Sequence, residues 1–112
     1  MKIITTDIQL KTQGETDIID ITDEVAEKLA NTSLKEGVAI IFVVGSTAGV
    51  TTCEYEPGLI GDLKKFFEKL IPKNVTYAHD AAWGDANGYS HLRASLVGPS
   101  LAVPFSKGAL SL

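Results

Sequence analysis

The 112-residue chain predicts an α+β fold with a mostly antiparallel or mixed sheet, two main helices and a short third helix. Three observations carry that prediction. Stretches with strand chemistry outnumber those with helical periodicity, and several are joined by short turns. The run Gly37–Val44 is apolar, rich in β-branched residues and uninterrupted, the pattern of a strand buried on both faces. Leu59, Leu63, Phe66, Phe67 and Leu70 recur at helical spacing between lysines and acids.

Each element has its own justification. Lys2–Leu10 sets Ile4, Ile8 and Leu10 among Thr, Asp and Gln, and reads as a strand with one wet face. Gln13, Gly14 and Glu15 make a turn, and Asp17–Ile21 is a second strand paired with the first. Thr22, Asp23 and Glu24 supply a cap and then acids, which suit the positive end of a helix. Val25, Ala26, Leu29 and Ala30 give that helix one apolar side, and Asn31, Thr32 and Ser33 end it. Beyond Gly37–Val44, the loop Gly45-Ser46-Thr47-Ala48-Gly49 leads to a strand over Val50–Tyr55. Pro57 suits the first turn of the main helix, where a missing N–H costs nothing, and Pro72 marks its end. Residues 79–93 begin as a loop, and Ser90 caps a short helix, His91–Val97, that stops at Gly98 and Pro99. Leu101–Phe105 is a strand that Pro104 assigns to a sheet edge. Gly108 then turns the chain into a last apolar piece, Ala109–Leu112.

Bulk chemistry narrows the functional classes. Apolar residues at 45% and charged residues at 21% describe one globular domain over residues 1–112. A net charge of -4 lacks the Lys/Arg surplus that nucleic acid or an anionic membrane requires, so neither is an expected partner. Cys53 is the only cysteine, which excludes an internal disulfide and fits a reducing compartment. The first residues hold no apolar core ending in small residues, and Val38–Val44 is far below membrane-spanning length. A cytoplasmic location is the expectation.

Both histidines, the only tryptophan and the only arginine fall between His79 and Arg93. Eleven residues separate the histidines, which is no standard metal spacing, and a pair this size is often structural. Their neighbours raise the interest: His79 adjoins Asp80, and Asp85 and Asn87 precede His91. Imidazole with carboxylate can hold a divalent metal or fix the tautomer of a proton-transferring ring. Arg93 reads equally as an anion clamp or as a surface residue paired to an acid. Trp83 reads as a stacking ring, a subunit seal or a plain anchor for the loop. The stretch from Gly45 to Glu54, rich in small and hydroxylated residues, could bring amides and hydroxyls close to a phosphate or carboxylate, although threonines are also ordinary in strands. Glu54 and Glu56, alternating on a strand, could share a face and divide acid and base roles. Cys53 has no flanking base and reads as inert.

The stretch Phe42-Val-Val-Gly-Ser-Thr-Ala-Gly-Val-Thr-Thr-Cys-Glu54, then His79, then Asn87-Gly-Tyr-Ser-His-Leu-Arg-Ala-Ser-Leu-Val-Gly-Pro-Ser-Leu-Ala-Val-Pro104 resembles the YjbQ family, labelled secondary thiamine-phosphate synthase. The similarity runs from Met1 to about Leu110. It implies a compact α+β subunit assembled as a homotrimer, with sites near subunit contacts. It further implies a weak transferase joining a pyrimidine pyrophosphate to a thiazole phosphate, hence a small phosphorylated or anionic substrate. By position, Thr47, Thr51 and Glu54 match the family's hydroxyl and acidic residues, and His79, Asn87, His91 and Ser95 match its later motif. His79, His91 and Glu54 are thereby the expected catalytic residues. Thr47, Thr51, Asn87, Arg93 and Ser95 are expected to contact ligand, with a divalent metal, Zn or Mg, on His79 and His91. The alternative is a non-catalytic oligomeric module that binds ligand or metal. Two departures from the family pattern stand out. Cys53 replaces a common asparagine, and the pattern continues past Gly108-Ala-Leu with strands beyond Leu112, whose lack is expected to expose a sheet edge.

Overall fold

Seven elements follow one another in the computed structural model, which describes every residue from Met1 to Leu112. They are α1 (Thr22–Thr32), β1 (Gly37–Phe42), α2 (Pro57–Leu70), α3 (Ala78–Trp83), α4 (Gly88–Val97), β2 (Ser100–Ser106) and β3 (Ala109–Leu110). The strands form one antiparallel sheet in the order β1-β2-β3, so the fold is α+β as expected, with four helices rather than three. Two units divide the chain: Met1–Ile40 with Ala102–Leu112, and Ile41–Leu101.

In the first unit the core consists of Leu29 on α1 with Val103 and Phe105 on β2. Phe105 lies so close to Gly37 that a Cβ there would meet its Cζ at 2.8 Å. Lys107 and Gly108 both take positive φ, 54° and 77°, and connect β2 to β3 as a two-residue hairpin. The Glu36 carboxylate fastens this turn by accepting from Lys107 N at 3.1 Å and Ser106 Oγ at 3.2 Å. α1 begins after Ile21, and Thr22 itself provides no cap. Asp20 Oδ1 instead accepts from the Thr22 amide and hydroxyl, at 2.9 and 2.6 Å, and these bonds hold the Asp20 carboxyl below its usual range.

Several expected strands do not form. Lys2–Leu10, Asp17–Ile21 and Val50–Tyr55 carry no strand, and most of their residues are exposed. Alternation sets which side chains share a face, but a strand also needs a neighbour for its N–H and C=O groups. β1 ends at Phe42 and is not covered on both faces: Val38, Ile40 and Phe42 are 58%, 75% and 63% exposed. Pro104 does not mark an edge strand, because β2 is the middle strand. Pro104 O accepts from Ser111 N, and the reciprocal N–H that proline lacks is where the two-residue ladder of β3 stops.

The second unit contains α2, α3 and α4. α2 starts at Pro57, as the sequence indicates, but its cap comes from Glu56. The two carboxylate oxygens of Glu56 accept from Gly58 N and Leu59 N at 2.7 Å each, which lowers its pKa. Glu56 is therefore a cap and not half of a catalytic carboxylate pair. α3 occupies a stretch that reads as loop, and closes at Gly84 with φ 72°. α4 starts at Gly88, three residues before His91, so Ser90 lies inside the helix and does not cap it. No helix is long and apolar enough to cross a membrane.

Candidate functional site

His79 in the first turn of α3 and His91 in the first turn of α4 meet edge to face, with ring centroids 4.6 Å apart at 88°. Residues twelve positions apart are thus brought together because both helices begin at one place. His79 Nε2 lies 2.9 Å from Asn87 Oδ1 and 3.3 Å from Asp85 Oδ1. Asp85 can only accept when ionised, so the His79 Nε2 that faces it carries a proton, and in the neutral ring the lone pair is at Nδ1. His91 Nδ1 lies 2.9 Å from the Ser46 carbonyl, which also can only accept. His91 is therefore protonated at Nδ1, and in the neutral ring the lone pair is at Nε2.

An open cavity of about 590 Å³ adjoins the pair, lined by Ser46, Tyr77, His79, Gly88, His91 and Ser95, with Leu92 beside them. Ser95, one turn beyond His91, donates its Oγ to the His91 carbonyl at 2.8 Å. Ser46 belongs to the loop Gly45–Gly49, whose exposed backbone N–H groups enter no hydrogen bond within the chain. Asp80 does not pair with the imidazole next to it in sequence. Its carboxylate accepts from Tyr77 N at 3.0 Å and Gly88 N at 2.8 Å. Those two bonds hold its pKa below the usual range, and the fields of His79 and His91 add a smaller push in the same direction.

Of the residues expected from sequence, His79, Asn87, His91 and Ser95 come together, and Thr47 follows Ser46 in the adjoining loop. Thr51 and Glu54 are exposed and make no hydrogen bond or ion pair with the histidines. Arg93 stands away from the pair, because residues two apart on a helix diverge by roughly 200°. Its side chain, 11% exposed, donates to Ile71 O at 2.8 Å and to Glu68 Oε2 at 3.0 Å, and stacks over Tyr89 at 5.1 Å. It caps the end of α2 and is not at hand for a ligand in the cavity. Trp83 is 76% exposed and anchors nothing within the chain. Sequence reasoning missed the Ser46 carbonyl and the bridging role of Asp80. A backbone acceptor leaves no side-chain signature, and the aspartate-to-Gly88 spacing has no motif.

No three His, Cys, Asp or Glu side chains of this chain gather into a metal-holding group. The donors that do meet are two imidazoles. Such nitrogens suit zinc and not magnesium, which takes oxygen ligands in octahedral geometry.

Fold and site together define a small α+β protein with a two-histidine pocket built on the starts of adjacent helices. The matching family model, UPF0047 protein YjbQ-like, spans residues 6–112. The chain belongs to that family. It is 36% identical over 106 residues to a UPF0047 protein of Archaeoglobus fulgidus, covering 95% of this chain and 80% of that one. A UPF0047 protein of Methanothermobacter thermautotrophicus is 33% identical over 112 residues, covering 100% and 77%. Among solved structures, a YbjQ-like protein of unknown function from Sulfolobus solfataricus superposes with a TM-score of 0.84 at 27% identity, covering 91% of this chain and 73% of that one. A YjbQ/UPF0047 protein from Clostridium acetobutylicum gives 0.80 at 29%, covering 91% and 78%.

Proposed function

We propose that the His79–His91 pocket binds a small phosphorylated molecule and serves a transferase reaction of the thiamine-phosphate synthase kind, in which a carbon–oxygen bond breaks, pyrophosphate departs and a ring nitrogen bonds to that carbon. The observation that carries this reading is the pair of touching imidazoles, each with one nitrogen tied to an acceptor and the other making no hydrogen bond within the chain. Rings in fixed tautomers can accept a proton or ligate a cation without first reorienting. The unbonded amides of Gly45–Gly49, with the Ser46 and Thr47 hydroxyls, supply donors for phosphate oxygens beside them. His79 and His91 would hold a zinc ion, and its chemistry would be to neutralise charge on the departing phosphate oxygens. Two protein ligands leave its other positions to water, to ligand oxygens or to a neighbouring subunit. Thr51 and Glu54, exposed on the same unit, remain the outer candidates for ligand contact and proton transfer.

A second reading has its own support. The uncovered side chains of Val38, Ile40 and Phe42 favour assembly of copies, as a homotrimer, with the polar pocket serving that assembly and no reaction. One experiment separates the two. Zinc and inorganic pyrophosphate are titrated into wild-type and His91→Ala chains while metal content and thermal unfolding are followed. On the first reading, ligand at a hundred times Kd stabilises the wild-type chain by about 2.7 kcal/mol, and His91→Ala abolishes this while remaining folded. A wild-type chain that holds no metal and ignores pyrophosphate overturns it.

A further inference from the structure

We propose that Asp80 is a positioning residue for the His79–His91 pair, its one carboxylate tying the starts of both helices and so placing Asn87, the residue before Gly88, beside His79. The proposal rests on the reading of that pocket as a binding site. Asn87 occupies the position just before α4, where asparagine normally accepts from a backbone N–H of the first turn. It makes no such bond, and its Oδ1 faces His79 Nε2 instead. The first donor of α4, Gly88 N, is taken by Asp80 Oδ1 at 2.8 Å. The other oxygen, Oδ2, accepts from Tyr77 N at the start of α3.

One planar anion therefore sets where the two helices begin relative to each other. His79 precedes it by one residue, and His91 follows Gly88 by three, so their separation is set through this joint. Gly88 leaves no room for adjustment. It is buried, and a Cβ there would lie 2.9 Å from Tyr77 Cβ and 3.0 Å from Asp80 Oδ1. Asp80 is thus placed to act on the imidazoles through the backbone of both helices, and through Asn87, without touching a ligand itself.

The test is nuclear magnetic resonance of the full chain, read at the histidine rings. In Asp80→Asn the amide offers one acceptor where two N–H groups point. His79 then loses its contact with Asn87 and its ring-to-ring cross peaks with His91, while Asp85 still faces its Nε2–H. His91 keeps Nδ1–H, because the Ser46 carbonyl does not depend on Asp80. Zinc affinity, measured by competition with a chromophoric chelator, falls at least tenfold, the size expected for removing support behind a ligand. Gly88→Ala forces the same joint apart with the carboxylate intact and gives the same ring changes. Circular dichroism establishes that each variant is folded. The proposal is overturned if folded variants keep wild-type ring signals. A wild-type chain indifferent to zinc and pyrophosphate overturns the pocket's reading, and the ring signals then still decide the role of Asp80.

Discussion

At His91 the two ring nitrogens have different surroundings, and that difference converts an ordinary imidazole into a directed one. Nδ1 is held by the Ser46 carbonyl, so the orientation of the ring follows the Gly45–Gly49 loop. The loop is itself fixed at its far end, where Gly49 packs against α4. A Cβ on Gly49 would come within 2.8 Å of both Gly98 O and Val97 Cγ1. Gly49→Ala is expected to destabilise the chain by about 1–3 kcal/mol through overpacking, measured by urea unfolding, and to weaken pyrophosphate binding. Asp80 makes a different prediction. Its pKa is lowered in the folded chain, so its stabilisation is full above the unfolded carboxylate range, near ~3.9, and fades as pH falls through the lowered value. The unfolding free energy of Asp80→Asn should fall less steeply than that of wild type below about pH 4. Parallel curves for the two proteins would contradict it.

The helices show what local sequence determines and what it leaves to tertiary context. α2 is legible end to end, because Pro57, the apolar spacing from Leu59 to Leu70 and Pro72 just beyond it are all local signals. α3 was not, since its six residues depend on Asp80, which bonds forward to Gly88 in the next helix. Strands were harder for the same reason. Lys2–Leu10 and Val50–Tyr55 have strand composition, but composition does not name a partner. In the site, the residue types drew attention to His79, Asn87 and His91, and the helix starts brought them together. Arg93 drew the same attention and fills another role, because its rotational position on α4 points it at the end of α2. Arg93→Lys should cost about 1–3 kcal/mol in chemical denaturation, as one ammonium cannot satisfy both Ile71 O and Glu68 from that position. The same variant should leave pyrophosphate binding within twofold of wild type, whereas an anion-clamping arginine would lose it.

For the whole chain, the large buried apolar residues are only Leu29, Val103 and Phe105, a thin core for 112 residues. The alternate side chains of β1 are exposed, and Val44 just beyond it is exposed as well. Burying such a face between copies would supply the apolar contact that one chain lacks. Ile40→Asp and Phe42→Asp are each expected to reduce the particle mass found by light scattering and to lower the thermal midpoint. Unchanged mass in both would remove the argument for assembly through β1. Trp83 offers a convenient witness to events near the pocket. It is the only tryptophan, sits at the last residue of α3 and stands 76% clear of the rest of the chain. Its fluorescence therefore comes from a single wet indole, one turn of helix from His79. Any ligand or second copy that dries that ring will shift its emission to the blue, giving the molecule an intrinsic optical reporter that needs no label.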